Sequence, residues 1–388
     1  MPFHGIAVIG AGMIGAAHAA AYRQFAHRFG PAGTLHTVCD MNHEAARKLA
    51  ADWGFARTAT DWKSVIADAG IDVVSVCLPN YLHTEVTLAA LAAGKHVLCE
   101  KPLALDAASA RPVAEAARKA GSVSGTVFNY RRIPAIAAIR ARIEAGDLGR
   151  PVQIGVQFQC DYAADPLLPH SWRYELAKAG PGALLDVGTH AVDTMRFLFG
   201  EVVEVIGAVS TISIPERRLP LGATSGHGHA ALSDRTAPVD NDDVMSALLR
   251  FANGAQGFLS ASRVAVGSGN RLAVEVMGTE GTARFTTEMP SFYEIALRAP
   301  GGPAGFTRVM NSPQAPDIGT LATVPHDAVS VGYAEWFGFM IHDFLRCCAE
   351  GRPFRNGSIE DGYAAARVLD SIQSASSRAA AVQVEPAA

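Results

Sequence analysis

Gly5-Ile6-Ala7-Val8-Ile9-Gly10-Ala11-Gly12-Met13-Ile14-Gly15 is the stretch that decides the fold. A short apolar run reads as a buried strand, passes straight into Gly-x-Gly-x-x-Gly, and continues as helical periodicity over 14–28. In a strand–turn–helix unit each glycine has a task. Gly10 permits the tight turn, Gly12 lets the backbone approach a pyrophosphate, and Gly15 lets helix and strand pack closely. The first amides of the helix then face the phosphate charge. A Gly-x-Gly-x-x-Gly motif alone is weak. Here its context is right, and an acid closes the second strand-like run, Leu35-His36-Thr37-Val38-Cys39-Asp40. Asp40 lies about 20 to 25 residues after the glycines, where a carboxylate accepts from the adenosine ribose hydroxyls. It would repel a 2′-phosphate, and Met41, Asn42 and His43 bring no Arg or Lys. The expected cofactor is therefore NAD rather than NADP. The plainer reading of Asp40 is a cap for the next helix.

Outward from that stretch, apolar runs at 6–9, 35–39, 73–78, 96–99 and 123–128 alternate with helical patterns at 14–28, 43–53, 62–69, 85–93 and 106–120. Apolar strands alternating with helices predict an α/β Rossmann domain, a parallel sheet covered on both faces. Asp106 and Ser109 suit a helix start, and Gly94 and Gly121 suit helix ends. Past residue 130 the texture changes. A helix at 134–145 ends at Gly146, and strand-like segments follow at 152–159, 202–214, 244–251, 255–266, 272–278 and 281–286. They predict an α+β domain with a large open, mostly antiparallel sheet and turns such as Ala252-Asn253-Gly254. Residues 222–243 read as a surface excursion, 299–331 as loop, 334–350 and 359–380 as helices, and 381–388 as a frayed tail. The expected division is 1–128 for the dinucleotide domain and 129–388 for substrate binding and oligomerisation, with the helices of about 334–380 free to return to the first domain.

The chain has 388 residues, room for two cores. Hydrophobic residues make up 49% and charged residues 18%, with a formal net charge of −4 and no basic block. This composition excludes a disordered chain and argues against nucleic acid as a partner. No apolar run reaches the ~18 residues of a membrane span, so no membrane association is expected. The early first strand leaves no room for a signal peptide, and the six cysteines form no CxxC pair. A reducing, cytoplasmic setting is the expectation, with neither disulfide nor metal site.

Three further segments carry chemistry. Two strand-like runs end in Cys77-Leu78-Pro79-Asn80-Tyr81-Leu82-His83 and Cys99-Glu100-Lys101-Pro102, and ligands of open α/β sheets bind outside the carboxyl ends of strands. Later comes Gly180-Pro181-Gly182-Ala183-Leu184-Leu185-Asp186-Val187-Gly188-Thr189-His190, preceded by Ser171-Trp172-Arg173. Asp186 and His190, four apart, share one helix face one turn from each other.

These residues resemble the Gfo/Idh/MocA family of oxidoreductases in order and spacing, over nearly the whole chain. The Glu100-Lys101-Pro102 triplet and the Asp186-x-Gly-x-His190 pair carry the resemblance most specifically. Phe128-Asn129-Tyr130-Arg131-Arg132, Ser171-Trp172-Arg173, Ile214-Pro215-Glu216-Arg217 and Arg250-Phe251-Ala252-Asn253-Gly254 are similar to its levoglucosan and inositol dehydrogenase branch. The resemblance implies that Lys101, Asp186 and His190 are catalytic and touch substrate, and that the bond before Pro102 is cis. It implies cofactor contacts from Gly10, Gly12, Met13, Ile14, Asp40, Pro79, Asn80, His83, Glu100, Lys101, Asn129, Trp172 and Arg173, and substrate contacts from Tyr130 and Tyr333. Oxidising a secondary alcohol needs an acceptor for the hydroxyl proton. His190, with a reference pKa of ~6.5, suits that task. Lys101 could take the proton if burial lowered its pKa, or else stabilise the developing alkoxide.

The expected activity is oxidation of a ring hydroxyl of a neutral sugar, anhydrosugar or cyclitol by NAD. A carboxylate substrate would call for another Arg clamp, for which Arg131 and Arg132 are the candidates. Two other readings share the fold: a glycoside hydrolase or lyase that oxidises its substrate transiently, and a non-catalytic NAD sensor. Retention of Lys101, Asp186 and His190 together speaks against the sensor. Asp193 reads as structural, His227 and His229 as solvent-exposed, and Cys347 and Cys348 as packing residues. The open sheet is expected to be a large apolar patch covered by another copy, making a homo-oligomer, with a tetramer favoured by the resemblance.

Overall fold

Six short strands form the first sheet of the chain, apolar chiefly in the central runs Gly5–Ile9, Val73–Val76 and His96–Cys99. The computed structural model describes residues 5–26, 33–222, 228–298, 305–314, 318–321, 326–328 and 331–386. The strands are β1 (Gly5–Ile9), β2 (Thr34–Cys39), β3 (Arg57–Ala59), β4 (Val73–Val76), β5 (His96–Cys99) and β6 (Ser124–Thr126). Their order is β3-β2-β1-β4-β5-β6, and every pairing is parallel. The direction of winding reverses between β1 and β4, which makes that point the topological switch where ligands of such sheets bind. β3 is a three-residue edge strand, half exposed, and too short to show as a periodic run.

Contacts group Met1–Arg132 with Gly332–Tyr363 as one unit and Ile133–Val331 with Ala364–Ala388 as the other. Against a sequence boundary at 128/129, the first unit thus keeps four more residues and takes in the helix Tyr333–Glu350. Hydrophobic packing accounts for it. Phe337, Met340, Ile341 and Phe344 of that helix share one cluster with Ile6, Val8, Tyr22 and Val38. A helix whose apolar stripe covers a sheet formed some 300 residues earlier leaves no local trace of its destination.

The second unit holds β7 (Pro151–Gln159), β8 (Val202–Thr211), β9 (Glu216–Pro220), β10 (Leu232–Pro238), β11 (Val244–Phe251), β12 (Gln256–Ser262), β13 (Arg271–Gly278), β14 (Gly281–Thr286), β15 (Phe292–Leu297), β16 (Thr307–Met310) and β17 (Val382–Gln383). Nine of them form one sheet in the order β16-β15-β14-β13-β7-β12-β11-β8-β17. All neighbours are antiparallel except β7 and β12. Ile154, Val156, Phe158, Leu259 and Ala261 are buried on the face where β7 and β12 meet the helix Gly182–Phe199.

Three expectations are corrected here. Residues 222–243 are no mere excursion, since β10 pairs with β9 as a hairpin. The stretch 299–331 contains β16 and a short helix, Ile318–Leu321. The tail is tied down over its described residues, 381–386: β17 pairs with β8, and Arg367 donates to the Glu385 carbonyl. The strands among them are held by pairing, β10 to β9 and β16 to β15 as neighbours in the chain and β17 to distant β8, which periodicity does not report. The open face is also not a continuous apolar patch. Phe258, Phe292 and the exposed Leu248 and Val209 are interleaved with ion pairs of Arg284 and Arg308 to Glu294 and of Arg250 to Glu204. Antiparallel strands with one solvated face alternate in this way.

Candidate active site

In the first unit the glycine turn behaves as its sequence demands. Gly10 has φ +109°, in the region L side chains avoid, and a Cβ there would lie 2.2 Å from the Cys77 carbonyl. A Cβ on Gly15 would fall 1.8 Å from the Gly10 oxygen, whereas one on Gly12 would meet nothing within 4 Å. Gly12 therefore faces open space at the start of the helix Met13–Ala21, whose amides carry positive partial charge. Met13 is largely exposed and Ile14 half-buried.

Asp40 joins this turn to the next helix. Its carboxylate accepts from Ala11 N at 2.8 Å and from Asn42 N at 2.8 Å. Asn42, not Asp40, caps the helix His43–Trp53, accepting from Ala45 N.

Pro79 and Asn80 sit where β4 gives way to the helix Asn80–Ala92, five residues earlier than the periodicity at 85–93 suggests. His83, 1% exposed, lies with Nδ1 2.6 Å from the Pro102 carbonyl and Nε2 2.7 Å from the Leu78 carbonyl. Burial pushes its pKa down, while the two carbonyls pull it back up. Glu100 is buried too; its carboxylate meets His18 Nε2 at 3.0 Å and accepts from Lys101 N at 3.1 Å. His18 in turn meets Ser75 Oγ at 2.9 Å, which is also bonded to the Tyr22 hydroxyl. The resemblance sets His83 and Glu100 beside the cofactor. The structure places their polar atoms inside the unit, bracing the turn that carries Lys101. Lys101 itself is half-buried, and the Lys101–Pro102 bond is cis.

Asn129 and Tyr130 follow β6 in a short 3-10 turn. Asn129 is 1% exposed, and neither polar atom of its carboxamide has a hydrogen-bond partner among the described residues. A buried amide in that state calls for a ligand or an ordered water. Tyr130 forms an aromatic cluster with Tyr333 (ring centroids 6.2 Å) and Trp336 (5.7 Å), so two expected substrate contacts do come together. Arg131 and Arg132 are engaged elsewhere, in ion pairs with Asp361 at 3.0 Å and Asp343 at 2.6 Å.

In the second unit Asp186 and His190 both lie on the helix Gly182–Phe199. That helix is apolar nearly all round and buried, and Asp186 is one of its few partly exposed positions. His190 is 5% exposed and packs against the Phe158 ring. Glycine at 182 is required by close approach: a Cβ would lie 2.0 Å from the Asp242 carbonyl and 2.7 Å from Arg263 Nη1. Asp193, one turn beyond His190, is buried. Trp172 and Arg173 are half-buried in a 3-10 turn, with the guanidinium 4.6 Å above the indole centroid.

Sequence reasoning missed several participants. Tyr162 donates to Asp186 at 2.5 Å. Burial and the Asp186 charge push the Tyr162 phenol well above its usual range. Beneath it, Arg263 pairs with Asp243 at 2.8 Å, both fully buried. Arg217 and Arg263 stand 4.3 and 4.9 Å from the centroid of the Tyr174 ring. None of these pairs is closer than 20 residues in sequence, so no local pattern reports them.

Among the described residues no group of three or more His, Cys, Asp or Glu side chains could hold a metal. His227 lies outside the described residues, and His229 is exposed, 3.8 Å from Asp165. The six cysteines are free; burial pushes the thiols of Cys39 and Cys99 up to about 12, and Cys347 and Cys348 are buried. No helix among the described residues is long and apolar enough to cross a membrane.

The open cradle at Gly12, the amides behind it, Asp40 at the end of β2 and the orphaned Asn129 amide fit a dinucleotide, so fold and site define a dinucleotide-dependent oxidoreductase. Residues 4–128 match the model of an oxidoreductase family with an NAD-binding Rossmann fold, and residues 136–284 match the GFO/IDH/MocA C-terminal domain. Levoglucosan dehydrogenase of Pseudarthrobacter phenanthrenivorans is 36% identical over 98% of this chain and 97% of its own. Myo-inositol 2-dehydrogenase of Thermotoga maritima is 28% identical over 71% and 73%. A solved levoglucosan dehydrogenase in complex with NADH superposes with a TM-score of 0.91 at 35% identity, covering 99% of this chain and all of that one. A complex with NADH and levoglucosan gives 0.90 at 36% identity over 99% of this chain and all of that one. The chain belongs to the Gfo/Idh/MocA oxidoreductase family, and its cofactor is NAD.

Proposed function

We propose that this enzyme oxidises a secondary ring hydroxyl of a neutral sugar, anhydrosugar or cyclitol, with a levoglucosan-like ring as its leading substrate. The observation that carries the reading is the Asp186–His190 pair, one turn apart on a buried helix, in a chain that retains Lys101 before a proline. The commitment of Arg131 and Arg132 to Asp361 and Asp343 supports a neutral substrate, because it removes the candidates for a carboxylate clamp. The names of the relatives, dehydrogenases of an anhydrosugar and a cyclitol, point the same way.

NAD, when bound, supplies the hydride acceptor. The 10–14 turn and the helix amides behind it hold the pyrophosphate, and Asp40 holds the adenosine ribose. Pro79, Asn80, Asn129, Trp172 and Arg173 line the rest of the dinucleotide, while His83 and Glu100 fix the turn that presents Lys101. Asp186 accepts from a hydroxyl next to the reacting carbon. His190 takes the hydroxyl proton, the Lys101 ammonium stabilises the developing alkoxide, and ionised Asp186 favours the imidazolium that results. Tyr130 and Tyr333 offer an aromatic wall to the ring of the substrate.

Absorbance at 340 nm with NAD or NADP, over a panel of levoglucosan, myo-inositol, glucose, xylose and galactose, tests the reading. NADH formation with NAD, abolished by Lys101→Ala, is expected; silence across the panel in a protein that binds NAD would refute it.

The family resemblance supports a homo-oligomer formed through the open sheet of the second unit, a tetramer in preference to a dimer. There exposed Leu248 stands opposite Phe258 on the next strand, and Phe258, Phe292, Arg284 and Arg308 help to line a cavity of about 490 Å³. Light scattering should give four copies for the native chain and fewer for Leu248→Glu. The cysteine usage, six free thiols, supports a cytoplasmic location. Cell fractionation tests it.

A further inference from the structure

Resting on the assignment of Asp186 and His190 to the reaction, we infer that Tyr162 is a positioning residue of this site. Its hydroxyl holds the Asp186 carboxylate ionised and in one orientation, a helical turn from His190.

The contact is a built one. Tyr162 OH donates to Asp186 Oδ2 at 2.5 Å, and the two residues lie 24 apart in sequence. The segment carrying Tyr162 is stitched to the end of β12 by three backbone bonds: Cys160 N to the Ser262 carbonyl (2.8 Å), Ala265 N to the Cys160 carbonyl (2.8 Å) and Ala163 N to the Arg263 carbonyl (3.0 Å). Its ring packs against the buried cluster of Ala163, Tyr174 and Val239. The helix carrying Asp186 starts from the same platform. Ala183 N donates to the Asp242 carbonyl (2.8 Å), Leu184 N donates to Asp242 Oδ2 (2.9 Å), and Gly182 abuts the Arg263 guanidinium. Arg263 thus lies between the two: its carbonyl accepts from Ala163 N beside Tyr162, its guanidinium abuts Gly182 at the helix start, and Asp243 neutralises it.

Two chemical consequences follow. A phenol pushed well above its usual range stays protonated at working pH, so Tyr162 is always the donor. A donor aimed at a carboxylate favours its charged form. The charged and titratable groups that face Tyr162 are Asp186, Arg263 and Cys160; Arg263 is paired with Asp243, Asp242 stands at the start of the helix that carries Asp186, and His190 is one turn on. Only an ionised Asp186 carries the charge that stabilises the His190 imidazolium, and it is the stronger acceptor for a substrate hydroxyl, so Tyr162 keeps the pair in its working state.

The test is Tyr162→Phe, which keeps the ring and removes the donor. A roughly 10- to 100-fold fall in kcat with the KM for NAD unchanged is expected, as for loss of a charge-assisted bond. A merely structural role would lower activity without moving the titration midpoint of Asp186, and that outcome overturns the inference. An activity-independent arm uses protein carrying [4-13C]aspartate, with the Asp186 resonance assigned by its disappearance in Asp186→Asn. Its titration midpoint should rise in Tyr162→Phe and fall when position 162 carries 3-fluorotyrosine, a stronger donor of nearly the same shape. Equal midpoints in all three proteins refute the coupling. Shifted midpoints in a protein inactive on every polyol would uphold the Tyr162–Asp186 coupling and refute the dehydrogenase reading instead.

Discussion

Replacing Asp243 by Asn removes one charge and almost no volume, from the most tightly enclosed ion pair of the second unit. One carboxylate oxygen accepts from Arg263 Nε at 2.8 Å, and the other from Ser213 N at 2.7 Å and Ile214 N at 3.0 Å. Every partner is a donor, so an amide in either orientation must turn its own N–H₂ toward another N–H. Arg263 keeps neutral acceptors, Asn241 Oδ1 at 2.9 Å and the Arg173 carbonyl at 3.3 Å, but no countercharge at that contact. Breaking a buried pair from one side costs about 3–5 kcal/mol, and an unmet backbone donor about 1–3 kcal/mol of that. For a unit of this size, a fall in melting temperature of roughly 6–20 °C is expected. Differential scanning calorimetry of both proteins at neutral pH measures it. Hydrogen exchange at Ala183 and Leu184 should quicken, because their amides hang from neighbouring Asp242. The control is Asp234→Asn, which opens a solvent-exposed pair with Arg218 and should leave the transition where it was. A change for Asp243→Asn of less than about 3 °C would refute the claim that Arg263 depends on this charge.

Other expectations separate the tasks within the first unit. Gly12→Ala adds a methyl group to open space, so melting should be unchanged while NAD affinity, read by fluorescence quenching, falls at least roughly tenfold. Gly15→Ala drives a Cβ to 1.8 Å from the Gly10 oxygen and should lose both stability and binding. Asp40→Ser should narrow the preference for NAD over NADP in kcat/KM by about 10-fold or more, since the repelling charge is gone; an unchanged ratio would exclude Asp40 from ribose recognition. His96 has its pKa lowered, chiefly by burial, and its Nδ1 accepts from Val123 N at 2.9 Å. Its folded pKa is thus below the unfolded value of ~6.5, so its contribution is present above ~6.5 and is lost as pH falls through that window. Because the ring is partly solvated, stability should fall by less than about 1.4 kcal/mol for each pH step of one between roughly pH 7 and pH 5. His96→Gln should flatten that slope in urea titrations.

What could be read from the sequence follows a physical division. The glycine turn, Asp40 after β2 and the Asp186–His190 spacing were legible because each is a local requirement. A positive φ, a close approach or a shared helix face is fixed within a few residues. Edge strand β3, the β9–β10 hairpin, β16 and β17 were not, because their stability comes from pairing and not from their own periodicity. The helix Tyr333–Glu350 was legible as a helix and silent about its place, since an amphipathic stripe names no partner.

The same division runs through the site itself. Lys101, Asp186 and His190 are local to their motifs, yet what holds them is not: His83 reaches Pro102 across 19 residues, Glu100 reaches His18 across 82, and Tyr162 reaches Asp186 across 24. A motif therefore records which groups do chemistry, and the bracing that fixes their charge and direction is spread over residues with no pattern of their own. Buried histidines and tyrosines outside any motif are the trace such bracing leaves, since a polar group is kept inside a core only when a partner there meets it. On that reasoning His18, His83 and Tyr162, each bonded to a loop or helix that carries a motif residue, should tolerate substitution less well than partly exposed Trp172 or Tyr333.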